Sequence, residues 1–159
     1  EGEFPVQKKR PSLVQRGCLF IPHVQVIPAG SRVNIMNEDG IAHNLHTLSV
    51  ENPAFNRLQP GIKKRMITKK ADLTIPEIIP LKCDLHGWMN AFIIVADHPY
   101  HAISDQEGSF QISGIPAGTY TVQFWHETLG IQSQKVTVQA GADTKINDIA
   151  FKLEKGSEG

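Results

Sequence analysis

"LKCDLHGWMNAFIIV", residues 81–95, sets Cys83, His86 and Met89 at three-residue intervals just before an apolar run rich in branched side chains. The run "AFIIVAD" (91–97) reads as a β-strand, so the three side chains stand in the loop that feeds it. The chain has only two cysteines and three methionines among its 159 residues. Spending one of each here has three explanations: coincidence in a loop, a disulfide, or a site for a soft metal.

Working outward, helical periodicity is hard to find, and short β-branched runs separated by turn residues dominate. "CLFI" (18–21), "VQVI" (24–27), "RVNIMN" (32–37), "HNLHTLSV" (43–50), "EIIPLKC" (77–83) and "AFIIVAD" are the strand candidates of the first part. "PAGS", "NEDG" and "NPAFNRLQPG" supply the Gly, Pro, Asn and Asp that turns require. Residues 51–72 are the least regular and are expected to form a long loop or a short helix. After residue 98 the texture becomes tidier. Strands are expected at 109–112, 119–126, 131–139 and 145–153, with Tyr120, Val122 and Phe124 on one face and Thr121, Gln123 and Trp125 on the other. The expected class is all-β, as a first domain over 1–97 and a second β-module over 98–159.

Bulk properties narrow the function classes. Hydrophobic residues make up 40% and charged residues 20%, the balance of a globular chain rather than a disordered one. The formal net charge is +0, which leaves no long-range field to draw nucleic acid. No apolar run approaches the ~20 residues of a membrane-spanning helix. The sequence opens on "EGEFPV" without an initiator Met or a signal peptide, as a processed or trimmed chain does. A basic cluster, "KKRMITKK" (63–70), is either a solvated edge, where lysines block strand association, or a docking patch for an acidic partner.

A thiolate, an imidazole and a thioether are the ligand set that selects copper over hard cations. Two histidines and a cysteine, with a weak axial methionine, define the electron-transfer copper site. The loop at 83–89 supplies three of these four, and a second histidine must come from elsewhere. "NIMNEDGIAHN" (34–44) offers His43 after a strand and a turn.

At this point the residues resemble a family. "VIPAGSRVNIMNEDGIAHN" (26–44) followed by "CDLHGWM" (83–89) is similar to the cupredoxins, the small blue copper proteins of the plastocyanin and amicyanin type. The short Cys-x2-His-x2-Met spacing is most similar to the ligand loop of amicyanin. The resemblance covers roughly residues 17–97 and departs from the family in the long basic insertion between His43 and Cys83. It implies a Greek-key sandwich holding one type 1 copper ion. His43, Cys83 and His86 would be the strong ligands and Met89 the axial one. It also implies that Asn44 ties the two ligand loops together and tunes the thiolate.

On the same grounds His86 would face redox partner proteins through an apolar patch around Trp88, Leu85 and Pro22, with Lys63, Lys64, Arg65, Lys69 and Lys70 setting specificity. Trp88 itself is expected to be a hydrophobic lid that excludes water, or else an ordinary exposed loop aromatic. The implied function is electron transfer rather than catalysis, in a periplasmic or otherwise extracytoplasmic location. The alternatives are a copper carrier or sensor, or a two-module β scaffold with a structural metal. "SDQEGSFQISGIPAGTYTVQFWH" (104–126) is similar to the second half of the carboxypeptidase-regulatory-like β-sandwich module, which brings no chemistry of its own.

Competing readings of the same residues remain. A Cys18–Cys83 disulfide would remove the thiolate but leaves the His and Met spacing unexplained. Zinc on His43, Cys83 and His86 has no use for a thioether. A Cys83–His86 nucleophile lacks any visible oxyanion or specificity element. Of the other histidines, His46 is expected on the solvent side of its strand and His126 at a strand end against Glu127. Cys18 and His23 are candidates for support of the metal site, or simply a buried thiol and a surface histidine.

Overall fold

Alternation along each strand decides which side chains form the core. In β1 (Ser12–Arg16), Leu13 and Gln15 are buried while Ser12 and Val14 are half-exposed. β3 (Val24–Pro28) buries Gln25 and Ile27, and β4 (Asn34–Asn37) buries Ile35 and Asn37. β8 (Glu77–Lys82) turns Ile79 and Leu81 inward, and β9 (Asn90–Ala96) does the same with Ala91, Ile93 and Val95. This period of two marks strands with one face on a shared core. The remaining strands are β2 (Leu19–Ile21), β5 (His43–Thr47), β6 (Asn56–Gln59), β7 (Arg65–Ile67), β10 (Gly118–His126) and β11 (Gly130–Val138). The computed structural model describes residues 10–61 and 72–152, together with the backbone of 65–67.

The chain divides into two units, Glu1–Gln111 and Ile112–Gly159. In the first, two sheets hold strands in the orders β2-β1-β4-β7 and β3-β9-β8-β5-β6. β1 pairs parallel with β4, and β3 parallel with β9, so the chain crosses between sheets rather than meandering within one. The inner faces meet in one cluster that includes Leu13, Phe20, Ile27, Ile35, Leu45, Ile79, Leu81, Met89 and Ile93. The result is a β-sandwich of cupredoxin type.

The six strands expected in this part all form, with ends shifted by one to three residues. Three others were not expected. β1 is too short and mixed in polarity to stand out. β6 and β7 fall within 51–72, where a loop or short helix was expected; tertiary pairing with β5 and β4 recruits these segments into the sheets. Side-chain bonds also tie the described residues 50–52 to residues 74–77. Glu77 accepts bonds from the N–H groups of Val50, Glu51 and Asn52 and from Asn52 Nδ2. Buried Asn52 in turn accepts from the N–H groups of Thr74 and Ile75.

In the second unit β10 and β11 form an antiparallel hairpin, in register from Gly118↔Val138 to His126↔Gly130. Tyr120, Val122 and Phe124 are half-buried and Thr121 and Gln123 exposed, the alternation expected for them. Trp125, expected on the face of Thr121 and Gln123, is instead half-buried and breaks the alternation at the strand end. His126 does close the strand end, but by accepting from the Thr128 and Leu129 N–H groups at 3.1 and 3.2 Å rather than through Glu127. Residues 109–112 and 145–152, expected as strands, carry none among the described residues. Glycines bracket the first segment and Asp148 interrupts the second, and neither joins a ladder among the described residues.

Candidate metal centre

The turn before β5 delivers the first imidazole. Buried Asn37 shapes that turn: its Oδ1 accepts from Asp39 N–H at 2.9 Å and its Nδ2 donates to Ile41 O at 2.8 Å. Gly61 packs so tightly against it that a Cβ there would collide with the Gly40 carbonyl. His43 then enters β5 with its ring fully buried.

The second segment is the loop 83–89. Cys83 follows β8, and its N–H donates to Met89 O at 3.1 Å, while Met89 N–H donates to His86 O at 2.9 Å. These two bonds close the loop on itself and fix the three-residue spacing in space. Cys83 and Met89 are buried and His86 is half-buried.

The two segments converge. His43 Nδ1 lies 3.0 Å from His86 Nδ1, and Cys83 Sγ lies 3.7 Å from His86 Nδ1. The donor atoms of His43, Cys83 and His86 all lie within 4.8 Å of one another, close enough for one ion to reach all three. Met89, the fourth residue of the expected set, is fully buried at the end of the same loop. A thiol, two imidazole nitrogens and a buried methionine in the same loop suit copper better than zinc, which gains nothing from a thioether.

Asn44 links the two segments. Its Oδ1 accepts from Asp84 N–H at 2.8 Å and from the Cys83 thiol at 3.2 Å, while Nδ2 donates to Asn56 Oδ1 and Asp84 Oδ2. Donors on one side and acceptors on the other fix the amide orientation. In that orientation the side chain offers a carbonyl, not an N–H, to the sulfur. The tie expected between the loops is therefore present, and the same side chain contacts the Cys83 sulfur.

Two acidic residues complete the surroundings, and neither was singled out from sequence. Asp84 gathers Lys82, His46, Asn56 and Asn44, which hold its carboxyl well below the usual range; Lys82 contributes most. His46 is therefore engaged with Asp84 rather than simply facing solvent. Asp39 Oδ2 accepts from His43 Nε2 at 2.7 Å, and its two oxygens also accept from the Gly17 and Cys18 N–H groups at 2.7 and 3.0 Å. Burial pushes the Asp39 carboxyl up, but these bonds outweigh it and hold the group below its ordinary value. The i,i+4 spacing in "NEDGIAH" was the available signal for Asp39, and the acid directly after Cys83 the signal for Asp84.

Cys18 and Cys83 are both free thiols, which removes the disulfide reading. Cys18 occupies the two-residue turn between β1 and β2 with Gly17, at φ of 56° and 61°. Such a turn needs a left-handed backbone at both positions, which glycine adopts freely and cysteine does not. The Trp88 indole N–H donates to the Cys18 carbonyl at 3.1 Å, and its ring lies 5.3 Å from that of His86. Trp88 is 63% exposed, so it flanks His86 rather than sealing it from water. His23 packs edge-on against Phe92, 5.7 Å between centroids. Lys63, Lys64, Lys69 and Lys70 lie outside the described residues, and Arg65 is described only as the first residue of β7.

Comparison with known proteins gives a consistent pattern. The carboxypeptidase regulatory-like domain family matches residues 88–152. No curated protein sequence matches the chain. A copper-containing nitrite reductase from Thermus scotoductus SA-01 aligns with TM-score 0.50 and 24% identity, covering 60% of this chain and 24% of that one, so this chain spans about a quarter of that enzyme's length. A purple cupredoxin from Nitrosopumilus maritimus aligns with TM-score 0.46 and 18% identity over 54% of this chain and 99% of that chain. Amicyanin from Paracoccus versutus gives TM-score 0.46 and 18% identity over 57% and 85%. At these identities the likeness concerns fold, and it agrees with the cupredoxin-type sheet order of the first unit.

Proposed function

We propose that the chain is an electron carrier that binds one type 1 copper ion through His43, Cys83 and His86, with Met89 as axial ligand. The observation that carries this reading is the convergence of His43 Nδ1, His86 Nδ1 and Cys83 Sγ next to a buried methionine. Copper supplies a one-electron couple when bound, and the protein's task is to hold its ligands still through the change. The sandwich does this by anchoring His43 in β5 and closing the 83–89 loop with two backbone bonds. With metal bound, Cys83 is deprotonated.

His86, half-buried beside exposed Trp88 and next in sequence to exposed Leu85, is the route by which redox partner proteins reach the centre. Four protein ligands leave no open position for a substrate, so the chain acts as a carrier rather than an enzyme. On this reading it works outside the cytoplasm, as periplasmic or otherwise extracytoplasmic, with 1–97 as the copper domain and 98–159 as an appended module. Among the described residues no helix is long and apolar enough to cross a membrane.

A redox titration of the copper-loaded chain tests the carrier role. Reversible one-electron reduction with fast self-exchange is expected. Irreversible loss of copper on reduction, or ready transfer of Cu(I) to a chaperone, would instead indicate a copper-handling protein.

A further inference from the structure

The outer face of His43 holds a second arrangement that metal binding alone does not require. Its Nδ1 points to the donor cluster, and its Nε2 meets the Asp39 carboxylate at 2.7 Å. That contact fixes the tautomer: Nε2 carries the proton and Nδ1 keeps its lone pair. The carboxylate is held in turn by the N–H groups of Gly17 and Cys18, which converge because both residues adopt the left-handed backbone. The same Cys18 accepts the Trp88 indole N–H through its carbonyl. One turn of the opposite sheet thus braces both ligand segments.

We propose that Asp39 is a positioning residue that makes His43 a stronger donor to the oxidised metal than to the reduced one, lowering the reduction potential, with the Gly17–Cys18 turn as its clamp. This rests on the copper reading above. An imidazole whose N–H is bonded to a carboxylate gains basicity, and ligand partners of this kind typically contribute about 10–100-fold in metal affinity. The negative charge behind the ring favours the ion with the larger charge. A bound copper(I) would pass one electron to an oxidised partner protein with no bond broken, and the Asp39 carboxylate, acting through His43, would offset the added positive charge. The Cys18 thiol also lies near the Asp39 and His43 donor atoms. A second ion there would have to displace the 2.7 Å bond, so bracing accounts for the geometry more simply.

The test compares full-length wild type, Asp39→Asn and Asp39→Glu. Cu(II) and Cu(I) affinities are measured by chelator competition, alongside the reduction potential. In Asp39→Asn, Cu(II) affinity should fall about 10–100-fold and Cu(I) affinity by less. Each tenfold difference between the two corresponds to about 59 mV of positive shift. Asp39→Glu should recover part of the change. Equal loss for both ions with an unchanged potential would overturn the proposal. If Asp39→Asn does not fold, the wild-type Cu(I) form still decides by NMR. A His43 Nε2 proton protected from solvent exchange is expected, and a freely exchanging one contradicts the proposal. A wild type that shows no copper–thiolate absorption overturns the copper reading itself, and this inference with it.

Discussion

Asn44 grips Asp84 from two directions, accepting its backbone N–H at 2.8 Å and donating to its carboxylate at 2.9 Å. Residue 44 directly follows one candidate ligand and residue 84 another, so this pair sets the distance between the two ligand segments. The bond network also explains why a buried amide is retained there: each of its polar atoms has two partners.

Replacing Asn44 by Ala strips the partly buried Asp84 N–H of its acceptor and frees the loop. Loss of such a bond costs about 1–3 kcal/mol. Urea unfolding of the metal-free protein should show that decrease, with copper affinity falling as well. Unchanged stability and affinity would mean that the loops keep their spacing without this tie.

Leu45, fully buried between the sheets, bears on the rigidity of the same strand. Truncation to Ala opens a cavity and should cost about 2–5 kcal/mol. The same denaturant measurement checks it, and a cost below 1 kcal/mol would show that the core collapses around the site.

Acid stability should depend on Glu77. Burial pushes its carboxyl up, but the bonds from Val50, Asn52 and Glu51 outweigh it and hold it below its ordinary value. A depressed folded value contributes stability that is complete above the unfolded value, about 4.3, and is lost as pH falls through the folded one. Metal-free Glu77→Gln should therefore lose stability less steeply below pH ~4.3 than wild type. Parallel curves would show that the carboxylate does not stabilise the 50–52 loop.

Metal loading should stabilise the fold, since the ligands converge only in the native state. Free metal at 1,000 times the dissociation constant contributes about 4 kcal/mol. The melting temperature should rise with copper in wild type and not in Cys83→Ser. Equal rises in both would place the metal elsewhere.

Much of this was legible in the residues because the signals are local. The Cys-x2-His-x2-Met spacing survives as a closed loop because two backbone bonds span it. The β8 and β9 runs read as strands because branched apolar residues dominate them, and the strands extend for six and seven residues. β6 and β7 were not legible because they owe their form to neighbours distant in sequence. Asp39 escaped notice for the same reason, since its other partners, Gly17 and Cys18, sit in a hairpin of the opposite sheet. The expected strands at 109–112 and 145–153 show the converse: a good local pattern is not enough where no partner strand completes the ladder.

The visible spectrum after addition of Cu(II) bears most directly on the copper assignment, with Cys83→Ser and Cys18→Ser recorded beside wild type. An intense charge-transfer band is expected in wild type and in Cys18→Ser, and none in Cys83→Ser. A wild type without such a band, or a band that survives in Cys83→Ser, contradicts a copper–thiolate centre built on Cys83.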